Sequence, residues 1–299
     1  MKGCLFVLHK SNRILAAEAM AVHHSLFQCP ICSSPMHVEE LRQLVCLKGH
    51  NFDIARQGYV NFLPHPAASK YDQSLFRSRS IVSESRFFQS LDRLLSDRIL
   101  EFNKKPNLHL LDLGCGEGSH LAFMLDRLKN AGRDGTIGVG LDIAKEGVRM
   151  AASRAPRLLW CVADLARSPL ADGGFDVILN ILSPTNYAEC HRLLKDDGFL
   201  IKAVPGSRHL QELRSALRLS RESPSGVRLE ERFRDSFELV EALPLRSQSR
   251  LDAALIPHAI AMTPLSWHAD PERIQHLQAL DCLELTMDVT ILIGQKYRS

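Results

Sequence analysis

One run, Leu110-Leu111-Asp112-Leu113-Gly114-Cys115-Gly116-Glu117-Gly118, limits what this chain can fold into more than any other stretch. Leu108, Leu110, Leu111 and Leu113 suit a strand buried on both faces, as in a parallel sheet covered by helices. Three alternating glycines follow, and a glycine lets the backbone approach a ligand with no Cβ in the way. The segment reads as strand, loop and helix, with the loop as the floor of a site for a nucleoside-bearing molecule.

The flanking charges narrow the ligand. A dinucleotide fingerprint needs a third small residue at position 119, but here Gly118 comes one place early and Ser119 follows. Asp112 and Glu117 would serve an anionic pyrophosphate poorly and suit a cationic ligand, such as S-adenosylmethionine (SAM) with its ammonium and sulfonium. A second predicted strand, 136–141, ends in Asp142, a carboxylate placed to accept from ribose hydroxyls, and a third, 158–162, leads to Asp164. Either acid alone reads equally well as a helix cap or a loop acid. The combination resembles motif I and the following strand-end acids of the class I SAM-dependent methyltransferases, where the residue at Asp164 faces the adenine amino group. The cofactor-binding residues expected from these segments are Asp112, Gly114, Gly116, Glu117, Gly118, Asp142 and Asp164.

Alternating β and α patterns after residue 105 argue for a parallel sheet covered on both faces. Strands are expected near 108–113, 136–141, 158–163, 175–181 and 198–204, with a helix after each of the first four and another over 207–221. A last strand near 286–293 is antiparallel by resemblance. The fold class is α/β, Rossmann-like, and ligands in such sheets sit at the carboxyl ends of the strands. The Asn180–Pro184 segment, at the end of the fourth strand, is where contacts to an acceptor base are expected.

Upstream, Cys29 and Cys32 form one knuckle and Cys46 and His50 a second, with the spacing C-x2-C-x13-C-x3-H. Four such ligands can converge tetrahedrally on Zn²⁺ and leave no open position, which describes a structural site. A redox Cys-x-x-Cys would open a helix in a βαβ unit and needs no second knuckle. His37 is the rival nitrogen ligand. Eight cysteines could suggest secreted disulfides, but Cys115, Cys161 and Cys190 fall at ordinary core positions, so a reducing cytoplasm is the simpler assumption. The apolar run Cys4–Leu8 is shorter than a signal-peptide core of roughly 7–15 residues and is broken by His9 and Lys10, so no secretion or membrane span is expected. Residues 1–19 read as a loosely ordered extension, or as sequence ahead of a second start at Met20. A net charge of +3 is compatible with nucleic acid without requiring it.

After the second knuckle, Gly49-His50-Asn51-Phe52-Asp53, Ala55-Arg56 and Gly58-Tyr59-Val60-Asn61 resemble the signature of the 23S ribosomal RNA (guanine-N1)-methyltransferases. Later segments agree: the 111–118 loop, Pro205-Gly206-Ser207-Arg208-His209-Leu210 and Met262-Thr263-Pro264. Lys195-Asp196-Asp197-Gly198 departs from the family's usual Lys-Pro-Gly-Gly turn, a change confined to a loop before a strand. The resemblance runs from about residue 25 to the C-terminus. It implies a small N-terminal zinc-binding domain over 25–66, preceded by an extension over 1–24, then a helical linker over 67–104 and a methyltransferase domain over 105–299. It also implies contacts from Phe88 and His209 to the cofactor, a 23S ribosomal RNA hairpin as partner, SAM and Zn²⁺ as bound groups, a cytoplasmic location and a homodimer. One branch of the family is associated with macrolide resistance. Arg77, Arg79 and Arg86 in the helical segment either touch RNA phosphate or solvate a helix.

The reaction expected is methyl transfer to guanine N1, with no general base evident from sequence. A methyltransferase for a small molecule or protein is the rival, since fold does not fix substrate; the zinc domain speaks against it. A silent RNA-binding scaffold is a third reading, opposed by the intact loop and acids.

Overall fold

The protein is described here from a computed structural model, over residues 10–65, 71–219 and 226–297. An opening helix, α1 (Asn12–Val22), leads to a three-stranded antiparallel sheet of β1 (Met36–Glu39), β2 (Gln43–Cys46) and β3 (Asn51–Asp53), and then to a short strand β4 (Tyr59–Asn61). Two helices follow, α2 (Gln73–Glu84) and α3 (Gln89–Phe102). The αβ alternation then runs β5 (His109–Leu113), α4 (Ser119–Asn130), β6 (Ile137–Asp142), α5 (Lys145–Arg154), β7 (Leu159–Val162), β8 (Phe175–Ile181), α6 (Tyr187–Leu193) and β9 (Leu194–Pro205). Finally come α7 (Gln211–Ala216), α8 (Gly226–Ser236), β10 (Glu238–Asp252), α9 (Ile256–Ala261), α10 (Pro271–Gln278) and β11 (Cys282–Gln295).

The large sheet has the order β10-β11-β9-β8-β5-β6-β7-β4. Strands β4 to β9 within it pair in parallel, while β11 lies antiparallel between β9 and β10. The order reverses between β5 and β8, so their carboxyl ends border the crevice where ligands of such sheets bind. Without β4, this is the arrangement of the class I methyltransferase fold expected from the sequence.

Two expectations are corrected. No helix follows β7: residues 163–174 are loop and turn. Pro169 and the Asp172-Gly173-Gly174 turn break any helical run there, and the segment is fixed instead by the zinc lobe, with Gln28 N–H donating to the Pro169 carbonyl at 3.0 Å and Ala171 N–H to that of Leu26 at 2.9 Å. Of the loose extension expected over 1–19, residues 1–9 lie outside the described residues, and 12–19 belong to α1, whose Ala16, Ala17 and Met20 are fully buried. Ser11 caps this helix through Ile14 N–H, and the φ of +101° at Gly58 lets the chain pass where a Cβ would stand 2.9 Å from that of Ala16. The segment expected to be helical over 67–104 holds α2 and α3 within its described part, 71–104, and Leu91, Leu95 and Ile99 of α3 lie in the main core with Met124 and Leu128 of α4.

The zinc lobe is built into the same body. Its strand β4 extends the large sheet beside β7, and Phe62 N–H continues the pairing to the Val162 carbonyl at 2.9 Å. Met36, Leu44, Ile54 and Phe62 share one apolar core with Leu111, Leu113, Val139 and Leu141 of the central strands, and α1 contributes Met20 to that core. Burial of an apolar side chain in a close-packed interior is worth several times thermal energy, and truncation leaves a cavity as well. Met20→Ala is therefore expected to lower the unfolding free energy by about 2–5 kcal/mol, read by urea denaturation of the zinc-loaded protein. An unchanged midpoint would remove α1 from the core.

Candidate cofactor and metal sites

The glycine loop is held in a left-handed conformation, with φ of +88°, +54° and +80° at Gly114, Gly116 and Gly118. Gly118 begins α4, and a Cβ there would stand 2.5 Å from the Trp160 ring and 2.8 Å from that of Ala151. At Gly114 a Cβ would run into the Ser183 side chain. Protein packing thus joins ligand approach as a reason for glycine at these positions. The loop is tied to the neighbouring strand, Gly114 N–H donating to the Leu141 carbonyl at 2.8 Å and Gly116 N–H to Asp142 Oδ2 at 2.8 Å.

Asp112 is the penultimate residue of β5, two residues before the loop's first glycine. It is 2% exposed, and its Oδ1 is buried with no hydrogen-bond partner among the described residues. Burial, opposed by His120 and reinforced by Asp142, Asp92 and Glu117, pushes its carboxyl up to about 7. A buried carboxylate oxygen without a donor is costly unless something supplies one. The ammonium of SAM fits that need.

Of the residues near Asp112 and the loop, sequence reasoning did not single out His120, Asp92 or Phe76. His120, on the first turn of α4, places Nδ1 2.5 Å from Asp92 Oδ1 of α3. Burial opposes charge on this imidazole, but the Asp92 carboxylate outweighs it and the net shift is upward. The visible signal was an acid, Asp92, on the buried stripe of α3 beside Leu91 and Leu95. Phe88 stands edge-on to His120 at 5.1 Å between ring centroids. From α2, Phe76 and Arg79 reach over Gly116, each within 3.3 Å of where a Cβ would be.

Phe88, His209, Arg79 and Leu182 line one cavity of about 370 Å³, together with Met262 and Pro205. Two residues placed near the cofactor by resemblance therefore share a cavity, and the Met262-Thr263-Pro264 segment closes it. His209 Nδ1 accepts from Asp288 N–H at 3.3 Å, which leaves the ring proton of the neutral imidazole on Nε2. Burial, helped by Arg214, brings this histidine down to about 4, so it is neutral at physiological pH. Asp288 also accepts from Arg208 N–H at 2.9 Å and from Arg246 Nε at 3.1 Å, fixing the 205–209 turn.

The other acids are accounted for individually. Asp142 accepts Gly116 N–H on one oxygen and Ala144 N–H at 2.8 Å on the other, and a carboxylate retains lone pairs for hydroxyls beyond these two. Burial raises its carboxyl against those bonds. Glu117 is buried but turned to Ser119 Oγ at 2.5 Å and Arg154 at 3.7 Å. Asp164 is exposed at the carboxyl end of β7, where it accepts from Ala166 N–H at 2.9 Å. Asn180 is fully buried with its amide turned inward, donating to the carbonyls of Leu113 at 2.9 Å and Pro184 at 3.1 Å. Of the segment expected to touch an acceptor base, Leu182 and not Asn180 faces the cavity.

Cys29, Cys32, Cys46 and His50 converge, their ligand atoms all within 4.8 Å of one another. His50 Nδ1 lies 3.4 Å from Cys46 Sγ and 3.6 Å from Cys29 Sγ, and Cys32 and Cys46 are 3.6 Å apart. Tetrahedral zinc, with sulfur at about 2.3 Å and nitrogen at about 2.0 Å, separates its ligand atoms by roughly 3.5–3.8 Å, so the group fits. Contacts with the Ser34 side chain and backbone bring the Cys32 thiol down to about 6, the direction that favours a metal-binding thiolate. His37 is exposed on β1 and outside the group. Purified protein is expected to carry about one zinc per chain by elemental analysis and Cys46→Ala to lose it, with a lower unfolding midpoint because β2 joins the shared core. A zinc-free wild type of full stability would contradict this.

Comparison with known proteins places these features. A zinc-ribbon family model described as RlmA, N-terminal, matches residues 27–70, and a methyltransferase domain model matches 110–198. YxjB of Bacillus subtilis (strain 168), named as a candidate 23S rRNA (guanine-N(1)-)-methyltransferase, is 42% identical over 284 residues, spanning 92% of this chain and 99% of that protein. A 23S rRNA (guanine(748)-N(1))-methyltransferase of Streptomyces fradiae is 36% identical over 275 residues, spanning 89% of this chain and 95% of that protein. With the zinc ribbon, the methyltransferase domain and near full-length similarity to these relatives, the chain belongs to the 23S rRNA (guanine-N1)-methyltransferase family.

Proposed function

We propose that this protein transfers a methyl group from SAM to N1 of a guanine in a hairpin of 23S ribosomal RNA. What carries the reading is similarity over nine-tenths of the chain to a relative named for that reaction, in a structure that brings the Cys/His group and the glycine loop with its acids each to one place. SAM supplies an electrophilic methyl on a positively charged sulfur, so position and exclusion of water dominate what the protein must contribute. In this reading Asp112 holds the cationic methionine end, Gly114, Gly116 and Gly118 shape the loop beneath it, and Asp142 and Asp164 stand at the ribose and adenine. Glu117 supports the loop from inside through Ser119, and Phe88 and His209 wall the cavity.

Guanine N1 lies on the Watson–Crick edge, so the base must be unpaired or extruded to reach a methyl donor. The largely apolar cavity of about 370 Å³ beside the loop has room for such a base. The zinc lobe and the methyltransferase fold form one continuous surface, suited to an RNA hairpin read by shape and phosphate contacts. A cytoplasmic location belongs with this substrate, and among the described residues no helix is long and apolar enough to cross a membrane. A homodimer belongs to the same reading; β10 offers an outer edge with no strand partner among the described residues.

The test is mapping of 23S ribosomal RNA from cells with and without the gene, by mass spectrometry and primer extension, since a methyl on N1 blocks base pairing. One guanine gaining a methyl only in the presence of the protein is expected, and purified protein should methylate the matching hairpin with affinity that falls steeply with salt. Unchanged ribosomal RNA together with methylation of a small molecule would move the rival reading ahead.

A further inference from the structure

Lys202 is a lysine inside the central strand β9, 4% exposed, in a run, Phe199-Leu-Ile-Lys-Ala-Val204, that is otherwise apolar. It lies beside Asn180 of β8 in the parallel register. Its Nζ donates to Asn180 Oδ1 at 2.5 Å, to the Ser183 carbonyl at 3.1 Å and to the Thr185 hydroxyl. Thr185 Oγ1 donates in turn to Asn180 Oδ1 at 2.6 Å. All three donors of the ammonium are spent within a single segment, 180–185.

That segment is the partition between two cavities. Leu182, held at φ +51° and bonded through its N–H to the Ala203 carbonyl at 3.0 Å, lines both the cavity of Phe88 and His209 and a neighbouring one of about 430 Å³ that contains Lys202, Tyr187 and Arg232. Ser183 abuts Gly114, and Asn180 holds the carbonyl of Leu113, the residue before the glycine loop. The network therefore reaches from β9 across β8 to the start of that loop.

As a source of stability this arrangement is poor. Removing an ammonium from water is costly, and replacing a buried ion by an apolar side chain of like volume is often neutral or stabilising. What an ammonium adds is direction: three fixed donors hold three acceptors on one turn in a backbone conformation, αL at a leucine, that a side chain with a Cβ resists.

We propose that Lys202 is a positioning residue for methyl transfer, fixing the 182–185 partition so that the acceptor base meets the cofactor in one orientation. The proposal rests on the methyltransferase reading above. It acts through the loop and requires no contact between Lys202 and either reactant.

The test compares wild type with Lys202→Met, close in volume and without donors, and Thr185→Val, which removes a single acceptor. Hydrogen exchange of the Leu182, Ser183 and Thr185 amides should quicken at least tenfold in Lys202→Met, with SAM affinity and melting temperature close to wild type. Single-turnover methylation of the ribosomal hairpin should slow tenfold or more with KM altered less than threefold. Thr185→Val should lose part of that rate, and the double variant should be no slower than Lys202→Met, because both act through one loop. Unchanged exchange at Leu182, Ser183 and Thr185, or a hairpin rate within twofold of wild type, overturns the proposal. So does a parallel loss of rate, SAM affinity and melting temperature, which is the signature of a merely structural lysine. Failure of the substrate reading shows itself separately, as wild-type protein inactive on the hairpin, and the exchange measurement does not depend on that outcome.

Discussion

The buried carboxylate of Asp112, with one oxygen lacking a donor among the described residues, is the point on which the rest of the structure turns. A strand apolar enough to be covered on both faces delivers it to the switch point of the sheet, and the glycine loop follows it in a conformation side chains resist. Asp142, Asp92 and Glu117 add negative potential to the same small volume, and His120 paired with Asp92 relieves only part of it. Such a cluster is unfavourable to fold around and favourable to fill with a cation. Its folded pKa lies above the unfolded value, so Asp112 favours the fold most in acid, and that contribution is lost as pH rises through about 7. A bound cation would offset the loss.

The second constraint is that the metal lobe and the sheet share one core. Strand β4 extends the large sheet at β7, α1 and the lobe cover the central strands, and the loop 163–174 is pinned where a crossover helix would ordinarily lie. Cys29 and Cys46 sit in that same core. Metal binding is thereby coupled to the face of the sheet that carries Leu111 and Val139, so this lobe is not an appendage that could be removed without consequence.

Much of this was legible because it rests on local pattern. The apolar run 108–113, the alternating glycines and the Cys/His spacing each encode short-range geometry, and the structure places the four metal ligands together and Asp112 near the end of β5, just before the loop. Phe88 and His209, which family resemblance puts at the cofactor, line one cavity. What escaped is long-range. Periodicity marks Leu91 and Leu95 as core but cannot show Asp92 meeting His120 across two helices, or Lys202 spanning a strand to reach Thr185. In hindsight both gave a signal, a charge within an apolar stripe. The absent helix after β7 was hidden because its replacement, the zinc lobe, comes from more than a hundred residues earlier in the chain.

The central claim, that Asp112 is a buried acid completed by a cationic cofactor, is tested most directly by carbon-13 NMR titration of labelled aspartate, assigned with Asp112→Asn. The account expects the Asp112 carboxyl to titrate near 7 in the cofactor-free protein and to move well down when SAM saturates the site. An ordinary carboxylate value without cofactor, or a value that SAM leaves unchanged, would contradict it.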